Sequence, residues 1–224
     1  MQSRVLVAIP AFNEEKFIEP LLREISAIVP LDHIIVVNDG STDRTRDIAT
    51  SLNVKVIDHV RNSGKGEAIN SAFFFARQAH FDWILFLDAD GQHPPRYIAE
   101  FLKMIELNKV DVVLANRRDR RRYMPLHRQL SNGITSILVS LCAGQRILDS
   151  QCGFRAIRLA KLHKLEFQST GFQVESELLI KLGKSGARFE HVPIRTVYGD
   201  ETSSINVVRD TLKFAKLILK SFWW

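Results

Sequence analysis

Four short apolar runs, each followed by a segment of helical period, constrain this chain more than any other feature. Val5 to Ile9, His33 to Val37 and Trp83 to Leu87 lack the polar alternation of a strand with one wet face, and Ile34-Ile35-Val36-Val37 is apolar without a break. Strands of that kind are buried on both faces, as in parallel sheets. Val54 to Ile57 is a shorter strand between the second and the Trp83 run. The intervening helices are expected from near Glu14 (capped by Asn13, with Ile18, Leu21, Leu22, Ile25 and Ile28 facing inward), from about Asp43 to Ser51, and from Glu67 to Ala79. A fourth, Arg96 to Leu107, leads into a fifth strand, Asp111 to Ala115. Four βα units in succession predict an α/β fold: a mostly parallel central sheet flanked by helices. Beyond Asn116 the pattern changes. A basic loop (Arg117 to Arg122) precedes a helix over Leu130 to Ala143. The loop Asp149 to Arg155 enters a short strand, and Gln173 to Ser185 is a helix carrying Glu175 and Glu177. A late strand (Arg188 to Val192), a polar segment (Tyr198 to Ser204) and a last helix (Asn206 to Lys220) complete the chain, which has no internal repeat.

Open α/β sheets bind ligands outside the carboxyl ends of their strands. The Trp83 run ends there in Asp88-Ala89-Asp90-Gly91-Gln92-His93-Pro94-Pro95. Two carboxylates one residue apart repel each other and call for a cation. Hard oxygen donors at a turn suit Mg²⁺ or Mn²⁺ shared with a diphosphate, with Gln92 as a neutral third donor; the plain alternative is a turn rich in Asp because Asp favours turns. In the loops after the first two strands, Phe12 offers a nucleobase a face, and Glu14 and Asp39 offer acceptors to ribose or base. Gly64-Lys65-Gly66 offers backbone N–H groups and an ammonium near a helix start, which suits phosphate, although its spacing is not that of a Walker A loop. Arg117 and Arg128, with Ser131, suit a phosphate, against the plainer reading of a solvated charge run. Glu175 and Glu177 read chiefly as the polar face of a helix. His93 reads equally as a catalytic group, a metal contact or packing.

Composition narrows the partners. The net charge of +6 favours anionic ones, and nucleic acid is disfavoured because the aromatic residues do not interleave with the basic ones. The two cysteines, Cys142 and Cys152, form no CxxC pair, so a zinc site is not expected and a reducing, cytoplasmic setting is. No apolar stretch approaches eighteen residues, so no spanning helix is expected. In residues 206–224, Leu212, Ala215, Leu219 and Phe222 share one helical face, Arg209, Lys213, Lys216 and Lys220 line its edge, and Trp223-Trp224 follow. This is the pattern of a helix lying on a membrane surface, here the cytoplasmic one; the alternative is packing against the chain's own core or a membrane partner subunit.

In order along the chain, Pro10-Ala11-Phe12-Asn13-Glu14, Val37-Asn38-Asp39-Gly40-Ser41-Thr42-Asp43, Gly64-Lys65-Gly66 and Asp88 to Pro95 resemble the signature of family 2 glycosyltransferases, which have the GT-A (Rossmann-like) fold. Asp149 to Arg155 resembles the D-x-x-x-G-F-R segment of polyprenyl-phosphate (dolichyl-phosphate) mannose and glucose synthases. The resemblance implies a GT-A domain over residues 1–205. It implies nucleoside contacts at Pro10, Phe12, Glu14, Val37 and Asp39, a substrate contact at Ala89, and a metal on Asp88, Asp90 and Gln92. It places Arg155 near the acceptor. The implied reaction is inverting transfer of a hexose from a nucleotide-diphosphate sugar to a polyprenyl-phosphate acceptor; a hydroxyl acceptor would instead need a base, with Asp149 the first candidate. Asn38 stands where Asp is commoner in the family, and the Tyr198 to Ser204 segment differs from that of the mannose synthases, which leaves base, sugar and acceptor open. A nucleotidyltransferase is disfavoured because Pro10 to Glu15 holds no glycine, and a silent binding module because the Asp-x-Asp is intact.

Overall fold

In a computed structural model of the chain, residues 3–117, 126–162, 171, 173–196 and 207–224 are described, without the side chains of 126–128 and 207–210. The basic loop beyond Arg117, the Tyr198 to Ser204 segment and the side chains of Arg128 and Arg209 therefore lie outside the described residues.

Among the described residues seven strands form one sheet: β1 (Val5–Ala11), β2 (Ile34–Asn38), β3 (Lys55–Asp58), β4 (Trp83–Phe86), β5 (Val112–Arg117), β6 (Arg155–Arg158) and β7 (Phe189–Ile194). Their order is β3-β2-β1-β4-β6-β5-β7. All the strands run one way except β6, which pairs antiparallel with both β4 and β5. The reversal has a consequence for the site. The amino end of β6 lies at the same sheet edge as the carboxyl ends of its neighbours, so Arg155 sits opposite Phe86 on one side and Leu114 on the other.

The apolar runs are continuous because both faces of the sheet are covered. Val5, Val7, Ile9 and Ala11 point into one core with α1 (Ile18–Ser26), α2 (Thr45–Ser51) and α4 (Ile98–Glu106). Leu6 and Ala8 point into the other, with α3 (Lys65–Gln78), α5 (Leu126–Ala143) and α6 (Gln173–Lys184). The last helix, α7 (Val207–Ser221), packs Phe214, Leu217 and Ile218 on the second side.

Two sequence expectations are corrected. Helix α1 begins at Ile18 rather than near Glu14, and Asn13 does not cap it. Asn13 has φ 58°, and its Oδ1 accepts from the Thr42 N–H at 2.8 Å, so it joins the loops after β1 and β2 instead. Nor is α6 polar on one side: Glu175 and Glu177 are both buried.

Candidate active site

The loops at the carboxyl edge are fastened by side chains that accept from backbone N–H groups. The Ser41 and Thr45 hydroxyls accept from Asn13 and Glu14, at 3.0 and 2.8 Å. Asp43 accepts from Glu15 and Thr45; burial opposes its charge, but these hydrogen bonds hold its carboxyl below the ordinary aspartate value. Asp39 is buried. Its Oδ1 accepts from Ser63 N at 2.9 Å and lies 2.7 Å from His59 Nδ1, while Oδ2 accepts from Gly64 N at 2.8 Å. On the far side of the ring, His59 Nε2 is hydrogen-bonded to the Ser71 hydroxyl at 2.9 Å, so His59 links Asp39 to α3. Asp39 thus sets the path of the loop into α3. Gly40 sits under that loop at φ 72°, where a Cβ would strike the backbone of Arg61 and Asn62. Phe12 is exposed beside these loops and Pro10 and Glu14 are half-buried, whereas the side chains of Val37 and Ala89 are in the core.

At the end of β4, Asp88 Oδ1 accepts from Lys65 Nζ at 2.6 Å. The same ammonium is 2.9 Å from Glu175 Oε1, and Glu175 Oε2 is 3.2 Å from Arg155 Nη2. Burial alone would lower the Lys65 pKa; the two carboxylates outweigh it and raise it above the ordinary lysine value. Burial likewise opposes the charge on Asp88, and Lys65 foremost holds its carboxyl low. Gly153 packs directly on Asp88: a Cβ there would lie 2.6 Å from Oδ1 and closer still to Oδ2. Arg117, at the end of β5, makes two parallel bonds to buried Asp149, Nε to Oδ2 at 2.7 Å and Nη2 to Oδ1 at 3.0 Å. Asp90 and Gln92 are half-buried in the turn, where Asp90 Oδ1 accepts from the Gln92 N–H at 3.0 Å.

The residues expected to hold a metal are all oxygen donors. Among the described residues no group of three or more His, Cys, Asp or Glu is placed to hold an ion unaided. The oxygen donor set is of the kind that suits Mg²⁺ or Mn²⁺.

The family model described as "Glycosyl transferase family 2" matches residues 6–166. The chain belongs to glycosyl transferase family 2. This glycosyltransferase is 34% identical over 229 residues to an uncharacterized protein of Methanocaldococcus jannaschii, covering 96% of this chain and 98% of the relative. It is 31% identical over 216 residues to a UDP-N-acetylglucosamine–dolichyl-phosphate N-acetylglucosaminyltransferase of Methanococcus voltae, covering 87% and 86%. In fold it is similar to glucosyl-3-phosphoglycerate synthase of Mycobacterium tuberculosis in complex with UDP, with TM-score 0.78 and 22% identity over 98% of this chain and 80% of that one. A further complex of that enzyme holds Mn²⁺, UDP-glucose and phosphoglyceric acid. The sheet and its flanking helices are those of the GT-A fold.

Within this family 2 transferase, Asp88, Lys65, Arg155, Arg117 and Asp149 are set at one sheet edge by β4, α3, β6, β5 and the loop before β6. Ser131 lies on the outer side of α5. His93 is buried, with Nε2 3.2 Å from Cys152 Sγ and Nδ1 without a hydrogen-bond partner among the described residues. Burial lowers its pKa against the pull of Asp88 and Asp90, so it is neutral at neutral pH. Sequence reasoning undervalued Glu175, which joins Lys65 to Arg155. The available signal was the density of apolar residues after it, Leu178-Leu179-Ile180 and Leu182, which leaves the helix little wet surface.

Proposed function

We propose that this transferase moves a hexose, with inversion, from a nucleotide-diphosphate sugar to a polyprenyl phosphate at the cytoplasmic face of a membrane. One observation carries the reading: acidic donors at the β4 turn and two buried guanidiniums, Arg117 and Arg155, meet at one sheet edge. One side suits a metal-bound diphosphate and the other an anionic acceptor. The acceptor named for the Methanococcus voltae relative, dolichyl phosphate, supports the same choice.

In this reading Pro10, Phe12, Glu14, Val37, Asp39 and Ala89 surround the nucleoside, Val37 and Ala89 through their backbone, and Lys65 meets the diphosphate. Asp88, Asp90 and Gln92 would hold Mg²⁺ or Mn²⁺, which when bound neutralises the charge developing on the leaving nucleoside diphosphate. Arg117, Arg128, Ser131 and Arg155 would orient the acceptor phosphate. A phosphate monoester is already anionic near neutral pH, so the site needs orientation and charge stabilisation more than a base. The bidentate pair supports this. Both oxygens of Asp149 are committed to Arg117, which makes Asp149 an orienter of that guanidinium rather than a free base.

The lipid character of the acceptor draws support from two exposed apolar faces. Leu130, Ile134, Ile137 and Leu141 on α5 and Leu212, Leu219, Phe222 and Trp223 on and after α7 are each at least 59% exposed. Helices α5 and α7 touch each other. Exposed Lys213, Lys216 and Lys220 flank the α7 face, which suits the surface of an anionic bilayer. Among the described residues no helix is long and apolar enough to cross one. On this reading residues 1–205 are the catalytic domain and 206–224 its surface anchor.

The test is transfer of radiolabelled hexose from UDP- and GDP-sugars to polyprenyl phosphate in detergent, with Mn²⁺ or Mg²⁺. Wild-type protein should give a lipid-linked product, and Asp90→Ala should lower turnover by at least ~10²-fold, because electrostatic terms in such sites are worth several kcal/mol. Transfer only to hydroxyl acceptors would overturn the acceptor, and near wild-type turnover in the variant would overturn the metal.

A further inference from the structure

We infer that Glu175 is a positioning residue that keeps the Lys65 ammonium paired inside the donor site while Asp88 exchanges that ammonium for a divalent cation. The inference rests on the donor-site reading above and concerns a residue that reading leaves without a role.

Lys65 Nζ lies between two carboxylates of different standing. Asp88, 2.6 Å away, is at the strand end with its side chain 22% exposed; Glu175, 2.9 Å away, is behind it on α6 with its side chain 8% exposed. Glu175 is itself held in place. Its Oε2 pairs with Arg155, and Arg155 Nη2 donates to the Cys152 carbonyl at 2.7 Å. The run Asp88–Lys65–Glu175–Arg155 therefore alternates in sign and sums to zero. A divalent cation reaching Asp88 competes with the ammonium for Oδ1. If Lys65 had no second carboxylate, releasing it would leave a buried charge unpaired, which is costly. With Glu175 in place the ammonium keeps one partner throughout, so Asp88 is freed at a small penalty. The ammonium also stays within reach of the diphosphate instead of swinging out to solvent. Because Glu175 touches Arg155 on its other oxygen, the same carboxylate ties the donor lysine to the acceptor-side arginine.

A plain electrostatic effect gives a different pattern from this exchange. Removing any nearby negative charge weakens cation binding whether or not Lys65 is present; the exchange acts only through Lys65. The experiment is a double-mutant cycle on Mn²⁺ binding, read by electron paramagnetic resonance of free Mn²⁺ with UDP present and no sugar or acceptor. Glu175→Gln should weaken Mn²⁺ binding about tenfold in the wild-type background but by less than about twofold when added to Lys65→Met, whose own lost diphosphate contact is common to both members of that comparison. Equal losses in both backgrounds, or no loss from Glu175→Gln, overturn the inference and leave the donor site standing. Absence of Mn²⁺ binding by the wild-type protein overturns both. Circular dichroism establishes that each variant is folded. Should Glu175→Gln not fold, Glu175→Asp, which keeps the charge on a shorter arm, replaces it in the cycle and should give a smaller loss that also disappears with Lys65→Met.

Discussion

Gly153 shows how little room the Asp88 carboxylate has. Its Cα rests on Asp88, and any side chain would have to displace that carboxylate or the strand entry behind it. Gly153→Ala should therefore cost both folding and catalysis. Overpacking of this kind destabilises by about 1–3 kcal/mol. A catalytic group moved by about 1 Å loses ~10² in rate. Urea unfolding and kcat/KM on the same preparation measure the two effects, and a kcat/KM within about threefold of wild type would show that Asp88 tolerates the shift. The role of this glycine was not legible in the sequence. Asp149 to Arg155 stands out as a motif, but nothing in it says that its fifth residue touches an aspartate 65 positions earlier, since only the reversed strand β6 brings them together. The placement of Asp88, Asp90, Lys65 and Asp39 at the carboxyl edge was legible because each follows a strand or opens a helix. Glu175 was not, because a carboxylate in a helix is ordinarily on its wet side.

Helix α7 carries apolar residues on two sides. The face read from the sequence, Leu212, Ala215, Leu219 and Phe222, is the one left exposed, while Phe214, Leu217 and Ile218 turn inward toward α6. Periodicity identifies amphipathic faces but does not choose between two that are equally regular. Helix α5 has the same duality: Val139 and Ala143 are buried, and Leu130, Ile134, Ile137 and Leu141 lie on the opposite side. If these outer faces meet a membrane, the protein should float with anionic liposomes at low salt and less well with neutral ones or at high salt. Replacing Leu219 and Phe222 with Ser should reduce flotation several-fold, since each buried apolar side chain is worth about 1.5–3 kcal/mol, without lowering Tm, because both are exposed. Equal flotation of variant and wild type would assign these faces to another partner. Strands β1, β2 and β4 were legible to within two residues because burial on both faces keeps them almost continuously apolar. The direction of β6, four residues long with an arginine at each end, was not.

Asp111 ties the opposite end of the molecule together. It accepts from Arg188 N at 3.0 Å and Arg188 Nε at 3.2 Å, and pairs with Arg158 at 3.3 Å and Lys161 at 3.7 Å, so one carboxylate joins β5, β6 and the entry to β7. Burial is the largest single influence and opposes its charge, but the Arg188 hydrogen bonds together with the Lys161 and Arg188 charges outweigh it and hold its carboxyl below the ordinary 3.8. A carboxylate with a depressed folded pKa stabilises fully above its unfolded value and loses that contribution as pH falls through the folded one. Asp111→Asn should thus lower stability by about 1–3 kcal/mol at pH 7, and the difference in Tm from wild type should shrink below about pH 4. A gap unchanged down to pH 3, followed by calorimetry, would place the stabilisation elsewhere. The single reversed strand also sets the order in which the sheet closes during synthesis. Strands β3, β2, β1 and β4 are complete once the first 86 residues have emerged, yet the partner of Trp83 on the far side of β4 is Arg158, 75 residues later. At roughly 5–20 residues per second a nascent chain leaves that edge open for about 4–15 s. For that interval the ribosome carries a half-sheet in which the outer edge of the wholly apolar strand β4 is an open template, the part of this chain's life in which a chaperone has most to shield.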